Sequence, residues 1–303
     1  MLRKIKHCFW TLLILLVLWL VWSLLSHQMP WQRDPKTAHS LRVMTYNTQG
    51  MAINKNHAYK LEMLRYINQQ NADIVCLQEV LVWKNEQRLT LPKLREAMSN
   101  YPYTYYDFKL YNNKRQFGNV VFSRYPLINK QTIRFESKSN ISSQCDVIVG
   151  KDTIRLIVNH LESFRLTKED LNIDSLTSNS WQESSLNRKL TTASRLRRTQ
   201  VNALRKAIRQ SPHPVIAVGD FNSLPISWVY WRMNLGMHDC WAESSMGQYG
   251  STYTRGMLRA RIDYIFTSRK IKPISCEIGN ATYSDHYPII GTVGWLDGEA
   301  VRR

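Results

Sequence analysis

The chain has 303 residues, of which 44% are hydrophobic and 11% are aromatic. A chain of this length and composition can build a substantial core, so wholesale disorder is excluded and one large domain or two small ones are expected. The formal net charge is +18, which favours a polyanionic partner such as nucleic acid, anionic lipid headgroups or phosphorylated small molecules; a basic surface that only aids solubility is the alternative.

Residues 1–26 predict a membrane anchor. Arg3, Lys4 and Lys6 precede an uncharged run of seventeen residues, 9–25, which is short for a membrane-spanning helix and long for a signal-peptide core. No small-residue cleavage site follows, so a cleaved signal peptide is the second interpretation. Basic residues ahead of the span favour a cytoplasmic N-terminus, which places the rest of this single-pass protein outside the cytoplasm.

The remaining chain divides into three parts. Residues 27–40 are polar, contain two prolines and predict a linker; residues 41–297 predict one folded domain, and residues 298–303 a basic tail. Residues 1–40 carry five basic residues and one acidic residue, a net +4, which leaves +14 on the rest of the chain. The five cysteines include no CxxC pair and no Cys/His cluster, which argues against structural zinc and leaves disulfide pairing unspecified.

Patterns of apolar residues predict one α/β domain with a mixed sheet arrangement. Residues 166–191 are rich in Ser, Thr and Asn and predict an inserted loop or lid. Residues 188–209 contain eight Lys or Arg and no acid, and they predict a basic helix. In chain order the other predicted elements are strand 41–47, helix 60–70, strand 74–79, helix 92–98, a loop leading into a strand within 117–124, hairpin strands 145–149 and 154–160, and strands 215–220, 262–266 and 289–293.

Several predicted strands end on a side chain that can hold a metal ion or a phosphate. Strand ends meet at one edge of an α/β sheet, where sites form. Each residue alone has an ordinary explanation, such as a turn or a helix cap, but their combination indicates a site. A histidine held by a carboxylate is also suited to taking a proton from water. The residues are Asn47, Glu79, His160, Asp220, Asn222, Asp263, Asp285 and His286.

Seven short motifs lie in order within residues 45–288. They are Thr45-Tyr46-Asn47, Leu77-Gln78-Glu79, Gly118-Asn119-Val120-Val121-Phe122-Ser123-Arg124-Tyr125-Pro126, Asn159-His160-Leu161, Gly219-Asp220-Phe221-Asn222, Arg261-Ile262-Asp263-Tyr264 and Ser284-Asp285-His286. In these motifs the sequence resembles the endonuclease/exonuclease/phosphatase superfamily, which includes DNase I, exonuclease III, sphingomyelinases, inositol polyphosphate 5-phosphatases and deadenylases. The resemblance implies a DNase I-like, four-layer α/β/β/α sandwich of two mixed β-sheets flanked by helices, with the site at one end. The anchor predicted from residues 1–26 would precede this domain as one N-terminal transmembrane helix.

The resemblance implies a set of metal ligands. Glu79 resembles the main Mg²⁺ ligand of the superfamily, assisted by Asn47 and Asp285. Oxygen ligands suit Mg²⁺ or Mn²⁺, and neither a thiolate nor a histidine cluster competes for zinc. Where exonuclease III and its abasic-site relatives carry an acid two positions after the asparagine, this chain has Gln49, so the number of metal ions, one or two, stays open.

The resemblance also implies catalytic roles. His286 resembles the general base, and Asp263 the carboxylate that orients it. Asp220 and Asn222 resemble the residues that position the attacking water and a phosphate oxygen. His160 resembles a second histidine, which either binds phosphate or protonates the leaving oxygen. The residues expected to bind phosphate or substrate are Asn119, Arg124, Asn222 and His160.

The leading hypothesis is a membrane-anchored, Mg²⁺-dependent phosphodiester hydrolase, a monomer that acts as a nuclease on DNA or RNA outside the cytoplasm. The abasic-site relatives lack the histidine that stands here as His160, which favours the DNase I, sphingomyelinase and deadenylase side. A phospholipid or sphingolipid phosphodiesterase, or a phosphatase, is the alternative, because the positive charge also suits anionic lipid. A catalytically inactive binding module is the third possibility, but it would have lost residues such as Glu79 or Asp220, and neither is lost.

Three aromatic residues follow the Asp220 loop. Trp228, Tyr230 and Trp231 could stack on a base, enter a layer of lipid headgroups or pack in the core. The sequence leaves these alternatives open.

Overall fold

Two mixed β-sheets of six strands each pack face to face in the computed structural model, which describes residues 10–11, 13–18, 37–53, 55–85, 87–135, 137, 140–165, 185–245, 249–255 and 258–296. The strands are β1 (His39–Asn47), β2 (Ile74–Trp83), β3 (Tyr103–Asn112), β4 (Arg115–Ser123), β5 (Leu127–Ile133), β6 (Ile141–Val149), β7 (Asp152–His160), β8 (Val215–Asp220), β9 (Met237–Asp239), β10 (Tyr253–Arg255), β11 (Leu258–Ala260), β12 (Asp263–Ser268), β13 (Lys272–Ile278) and β14 (Ile289–Trp295). The first sheet has the order β13-β14-β1-β2-β4-β3, the second has the order β5-β6-β7-β8-β12-β9, and β10 and β11 form a separate hairpin.

Helices cover the outer face of each sheet. The helices are α1 (His57–Gln69), α2 (Leu91–Ala97), α3 (Ser185–Gln210), α4 (Trp228–Asn234) and α5 (Cys240–Ser244), and Gln49–Ala52 forms a distorted helical turn. Met63 and Leu94 bring α1 and α2 against the first sheet, and Leu204 and Met233 bring α3 and α4 against the second. The short α5 instead contributes Cys240 and Trp241 to the core between the sheets. The layers are therefore helix, sheet, sheet and helix.

Strand β1 shows why both faces of a central strand read as apolar in the sequence. Leu41 and Val43 belong to the core between the two sheets. Met44 and Tyr46 belong to the core between the first sheet and its helices. All four side chains are fully buried, because a strand inside a layered α/β domain has no face toward solvent.

Strand directions bring the polar strand ends together. β1 and β2 are parallel, with Asn47 opposite Gln78, and β7 and β8 are parallel, with His160 opposite Asp220. β12 runs antiparallel to β8 and begins with Asp263 opposite Asp220. Both sheets therefore deliver these residues to the same end of the sandwich.

The predicted fold class is confirmed in its two mixed sheets flanked by helices. The predicted hairpin is also confirmed, since β6 and β7 pair antiparallel around Val149 and Asp152. Two boundaries were wrong: residues 117–118 already lie in strand β4, and residues 185–191 begin helix α3 instead of continuing the predicted loop. Residues 166–184 of that loop lie outside the described residues.

The predicted anchor falls largely outside the described residues. Of residues 1–26, only 10–11 and 13–18 are described, and they are helical. Within the part of the chain that the structure describes, no helix is both long and apolar enough to cross a membrane. Residues 27–36 of the predicted linker and the predicted tail, 298–303, also lie outside, and the linker ends at residue 38 because β1 begins at His39.

Candidate active site

Side chains from both sheets meet at one end of the sandwich. The Asn47 Nδ2 amide donates to Glu79 Oε1 at 3.2 Å and to Asp220 Oδ2 at 3.0 Å. His160 Nε2 lies 3.3 Å from Glu79 Oε1 and 4.0 Å from Asp220 Oδ2. Asn47 and Glu79 come from the first sheet and His160 and Asp220 from the second, so these polar contacts join the two sheets.

Glu79 lies on a β-bulge. The register between β2 and β4 shifts between Leu77 and Val80, and Glu79 has a left-handed φ of 54°. The Thr48 hydroxyl donates to the carbonyl oxygens of Gln78 and Glu79 at 3.0 and 3.1 Å. A bulge bends the strand and redirects its side chains, and here it turns the Glu79 carboxylate toward Asn47 and His160.

Asp220 is positioned by a glycine and an Asx turn. A Cβ atom at Gly219, where φ is 127°, would lie 2.0 Å from the Asn159 carbonyl oxygen, so only glycine allows β7 and β8 to approach this closely. Asp220 Oδ1 accepts the Asn222 backbone N–H at 2.7 Å, and the Asn222 side-chain amide donates to Asp220 Oδ2 and to the Leu161 carbonyl. Asn222 therefore braces Asp220.

His286 and Asp263 form a buried pair. His286 Nδ1 lies 2.9 Å from Asp263 Oδ2, and His286 Nε2 lies 3.8 Å from Asp220 Oδ2. Thr252 Oγ1 accepts the Asp263 backbone N–H at 3.0 Å, and the Tyr253 ring packs edge-on against the imidazole with 4.9 Å between centroids. These contacts fix the imidazole so that Nε2 faces the cluster, which is the orientation needed to exchange a proton with a molecule bound there.

Burial and neighbouring charges act on the protonation of the cluster in opposite directions. Burial alone would raise the pKa of Glu79, but the hydrogen bond with His160 outweighs it and lowers the pKa to about 2. Burial and the charge of Asp263 raise the pKa of Asp220 to about 6. Burial would lower the pKa of His286, but the charges of Asp263 and Asp220 raise it to about 10. At neutral pH the imidazole therefore keeps its proton until the surrounding negative charge is neutralised.

The oxygen-rich ligand set fits a hard divalent cation. The Glu79 side chain is 28% exposed, so a carboxylate oxygen is open to the site mouth. Burial raises the pKa of Asp285, His286 lowers it, and the Glu79 charge raises it, so the two carboxylates repel each other. A cation between carboxylates relieves such repulsion, and oxygen ligands suit Mg²⁺ or Mn²⁺. The four cysteines that the structure describes are buried in the core between the sheets and offer no competing thiolate.

A second set of side chains is also close enough together to hold a metal ion. Ligand atoms of Asp220, Asp263 and His286 all lie within 4.8 Å of one another. In this group, however, His286 Nδ1 is already hydrogen-bonded to Asp263. A metal bound there through His286 Nε2 would occupy the nitrogen that faces the cluster and is needed to exchange a proton, so Glu79 with Asp285 is the better location. Asn47 as oriented points its amide N–H at the carboxylates, while its Oδ1 accepts the Gln49 N–H at 3.0 Å.

Two residues predicted to bind phosphate are engaged in contacts within the protein, and one of them, Arg124, lies away from the site. Arg124 is beside the first residues of β2, at the opposite end of the sheet from Glu79, where its guanidinium pairs with Asp73 at 3.3 Å. Asn119 is buried, and its amide donates to the Ile141 and Val158 carbonyls and to Ser143, which ties β4 to the second sheet. Arg124 cannot reach a phosphate at the site from this position, because its motif continues past the end of β4 to the far end of the sheet. Asn119 lies level with the Glu79 bulge, where its amide is used to hold the two sheets together, and its role in binding phosphate stays a prediction.

The aromatic residues after the Asp220 loop divide between core and surface. Tyr230 is buried, and its hydroxyl donates to Asp239 at 2.9 Å. Trp228 and Trp231 remain exposed. Core packing therefore explains only the first of the three.

The structure adds supporting contacts from residues to which the sequence assigned no role. The Ser284 hydroxyl donates to the Asn47 carbonyl at 2.8 Å and so joins the His286 segment to β1. Arg197 of α3 donates to the Glu162 carbonyl at 2.7 Å, and Gln200 accepts the Glu162 N–H at 3.0 Å, which holds the chain just after His160. The motif Ser284-Asp285-His286 does not indicate the Ser284 contact, and no motif marks Arg197 or Gln200, because their partners are distant in sequence.

The chain is similar in sequence to a known protein family. The family model described as the Endonuclease/Exonuclease/phosphatase family matches residues 44–286. No curated protein sequence matches the chain.

Solved structures show the same fold at low identity. An endonuclease/exonuclease/phosphatase from Beutenbergia cavernae DSM 12333 superposes with a TM-score of 0.65 at 16% identity, covering 85% of this chain and 72% of that one. The human Nocturnin catalytic domain with bound sulfate gives 0.61 at 18% identity, covering 88% and 97%. A humanized D. rerio TDP2 with 14 mutations gives 0.61 at 17% identity, covering 84% and 99%.

Substitution of Asn47 tests the proposed cation site without an activity assay. Asn47→Ala removes two hydrogen bonds to buried carboxylates and should cost about 1–3 kcal/mol of unfolding free energy. Asn47→Asp should cost more in chelator, because it adds a carboxylate beside Glu79 and Asp220. Millimolar Mg²⁺ or Mn²⁺ should recover much of that loss, because a cation binds the folded state. The measurement is thermal unfolding of both variants with EDTA and with each metal. Equal responses of the two variants to metal would contradict a cation site at Asn47.

Proposed function

This chain belongs to the endonuclease/exonuclease/phosphatase family, and on that premise we propose that it is a membrane-anchored, Mg²⁺-dependent phosphodiester hydrolase that cleaves nucleic acid outside the cytoplasm. Membership makes it a phosphoric ester hydrolase, and divalent metal ions are the general cofactors of the family. The metal identity, the substrate and the location are the proposed parts.

One observation carries the proposal. The Asn47 amide bridges Glu79 of one sheet and Asp220 of the other, while His160 and His286 flank the same carboxylates. This arrangement offers oxygen ligands, an oriented imidazole and a second imidazole around one space. Those are the groups that hydrolysis of a phosphodiester by water requires.

The residues of this chain divide the reaction among them. His286 exchanges a proton at Nε2 with the attacking water, and Asp263 holds its ring through Nδ1. Asp220, braced by Asn222, accepts a hydrogen bond from the water and orients it for in-line attack. His160 keeps its proton beside Glu79 and offers it to a phosphate oxygen or to the leaving oxygen, because the Glu79 charge raises its pKa against the effect of burial.

A divalent cation held by Glu79 and Asp285, with Asn47 beside them, would stabilise the negative charge that develops on the phosphoryl oxygens. A cation there would also offset the Asp285 charge, which is one of the charges that raise the pKa of His286, and so would lower that pKa, while Asp263 and Asp220 continue to raise it. His286 then accepts a proton from water more readily than it does in the metal-free cluster.

Positive charge favours nucleic acid as the substrate. Helix α3 carries no acidic residue. Two of its arginines, Arg197 and Arg205, are buried and serve the fold, so fewer cations face solvent than the sequence suggested. A relative, TDP2 of D. rerio, has been solved with a single-strand DNA product, which is consistent with a nucleic-acid substrate here. The exposed cations of α3 are Arg188, Arg195, Arg198, Lys206 and Arg209.

A lipid phosphodiester is the second candidate. The observation that favours it is the exposure of Leu224, Ile226 and Trp228 directly after Asn222 in the chain. Apolar residues at the site mouth suit a substrate embedded in lipid, and cations suit its headgroup.

The proposed location follows from the sequence of residues 1–26. Met1 would face the cytoplasm and the catalytic domain would lie on the far side of the membrane. Protease added to cells whose outer barrier has been opened should then digest the domain. Protection of the domain until the inner membrane is lysed would reverse this orientation.

Chelation and a substrate panel test the proposed activity. Turnover of duplex DNA, RNA, sphingomyelin and phosphatidylinositol phosphates should be abolished by EDTA and restored by Mg²⁺ or Mn²⁺, with nucleic acid cleaved fastest. Glu79→Ala should stay folded by circular dichroism and lose most of its turnover, because it removes the main oxygen ligand at a partly exposed position.

Arg124→Ala is the matched control, because it also removes a charged side chain but at the opposite end of the sheet. It should lower stability and keep turnover. Full turnover of the Glu79→Ala enzyme in chelator would refute the mechanism, and lipid cleavage in preference to nucleic acid would select the second candidate.

Leaving-group dependence separates the two histidines. His286→Ala should slow every substrate by on the order of 10²–10⁴, because activation of water is common to all of them. His160→Ala should retain more activity on bis-p-nitrophenyl phosphate than on an alkyl diester, because an aryl oxide leaves without a proton. Asp263→Asn should resemble His286→Ala. The measurement is kcat/KM for both esters in each variant; equal losses for His160→Ala on both would mean that His160 only binds phosphate.

A further inference from the structure

A surface of exposed apolar side chains lies beside the active-site loop. Within α4 and its C-cap, Trp228, Trp231 and Leu235 follow a spacing of three and four residues and so lie on one face. The opposite face, with Val229 and Met233, packs in the core of the second sheet. The α4 surface consists of Leu224, Ile226, Trp228, Trp231 and Leu235.

Exposure on this surface is high for residues of these types. Ile226 is 84% exposed and Trp231 is 63% exposed. Large contiguous apolar patches on a folded domain mark surfaces that bind a partner or a membrane. The α4 surface therefore has the character of a binding surface.

The surface adjoins the mouth of the active site. Leu224 follows Asn222 by two residues, and Asn222 donates to Asp220. The Ser223 carbonyl between them accepts the buried Tyr264 hydroxyl at 2.7 Å, which fixes the start of the surface to the site. Whatever covers the α4 surface therefore lies next to the cluster.

Two arginines lie close to this surface, and the two helices that carry them have no acidic residue. The Arg198 guanidinium lies 5.2 Å from the centre of the Trp228 ring. Arg232 lies in α4 itself, and neither α3 nor α4 contains Asp or Glu. The surface is thus complementary to a negatively charged, partly apolar partner.

The side chains distinguish between a bilayer and a nucleic acid. Bases stack on flat rings, which accounts for Trp228 and Trp231 but not for Ile226, the most exposed of the five. An interfacial layer of lipid accommodates both kinds of residue, with indoles at headgroup level and aliphatic side chains among the acyl chains.

We propose that the α4 surface docks on an anionic lipid bilayer and holds the active-site mouth at the level of the headgroups. The proposal rests on the membrane-anchored part of the proposed function, because the anchor keeps the domain near a bilayer. It names a second contact with that bilayer, separate from the N-terminal segment.

The predicted linker is long enough to let the site end of the domain face the membrane. β1 begins at the end of the sandwich away from the site, and its nine residues span about 30 Å. The twelve residues 27–38 could span at most about 40 Å when fully extended. The site end of the domain can therefore reach the membrane from which the linker leaves.

A fluorescent label at Ile226 tests the docking directly. The experiment uses the full-length chain with two substitutions, Cys8→Ser and Ile226→Cys. The other four cysteines are buried, so an NBD label is directed to position 226. The labelled protein is reconstituted in vesicles. We expect a blue-shifted emission and quenching by doxyl-labelled lipid in vesicles that contain phosphatidylglycerol, with less quenching in pure phosphatidylcholine. High salt and the double variant Arg198→Glu, Arg232→Glu should reduce the quenching, because they weaken attraction to anionic headgroups.

Ile128→Cys is the matched control, because Ile128 is also an exposed isoleucine, 43% exposed, but lies on β5 opposite Asp146, away from the site. Its label should stay accessible to aqueous quencher in both vesicle types. Equal, water-like emission of the two labels in both vesicle types would overturn the proposal. Protection of the Ile226 label by a single-stranded oligonucleotide and not by lipid would overturn it in favour of a nucleic-acid platform. The readout requires no turnover, so loss of the proposed activity and loss of docking are separate results.

Discussion

The hydrogen bonds of Asn47 to two carboxylates are the contacts on which the site depends. One acceptor is Glu79 of the first sheet and the other is Asp220 of the second. The negative charges of these two carboxylates repel each other, and burial adds a desolvation cost to each of them. A neutral donor between them, together with the imidazoles of His160 and His286, lets the two sheets close at this end.

Closing the sheets places strain where the chemistry is. Five of the eight non-glycine residues with positive φ in the described part of the chain lie in the site loops: Gln49, Met51, Ala52, Glu79 and Asn222. Left-handed φ costs free energy for such residues and persists only where the surroundings enforce it. Thr48 and Asp220 supply part of that enforcement through hydrogen bonds to the Glu79 carbonyl and the Asn222 N–H.

Helices α3 and α4 connect the site to its surroundings. Arg197 points inward and holds the Glu162 carbonyl, just after His160. Arg198, the next residue, points outward and lies over Trp228. Adjacent residues of one basic helix thus perform two tasks, support of a catalytic loop and formation of a charged, partly apolar surface at the site mouth. A helix separates them because successive side chains point about 100° apart.

The sequence by itself determined the strands that lead to the site, their polar ends and the family motifs, but it did not indicate edge strands such as β3, β5 and β13. Apolar runs ending on Asn47, Glu79, His160 and Asp220 indicated which residues form the site, because strand ends meet at one edge of a sheet. It also indicated the hairpin between β6 and β7, from a glycine turn between two apolar runs. These features depend on neighbours in the chain, and local sequence records them.

Only the tertiary structure decided which motif residues reach the site and which surface remains open. Arg124 and Asn119 share a motif, yet one pairs with Asp73 at the far end of the sheet and the other braces the two sheets. Tyr230 is buried and Trp231 is exposed although they are adjacent. Contacts such as Ser284 to Asn47 join residues 237 positions apart. A single sequence carries no local signal for such pairs, because the distance between them is set by the packing of two sheets and not by the chain between them.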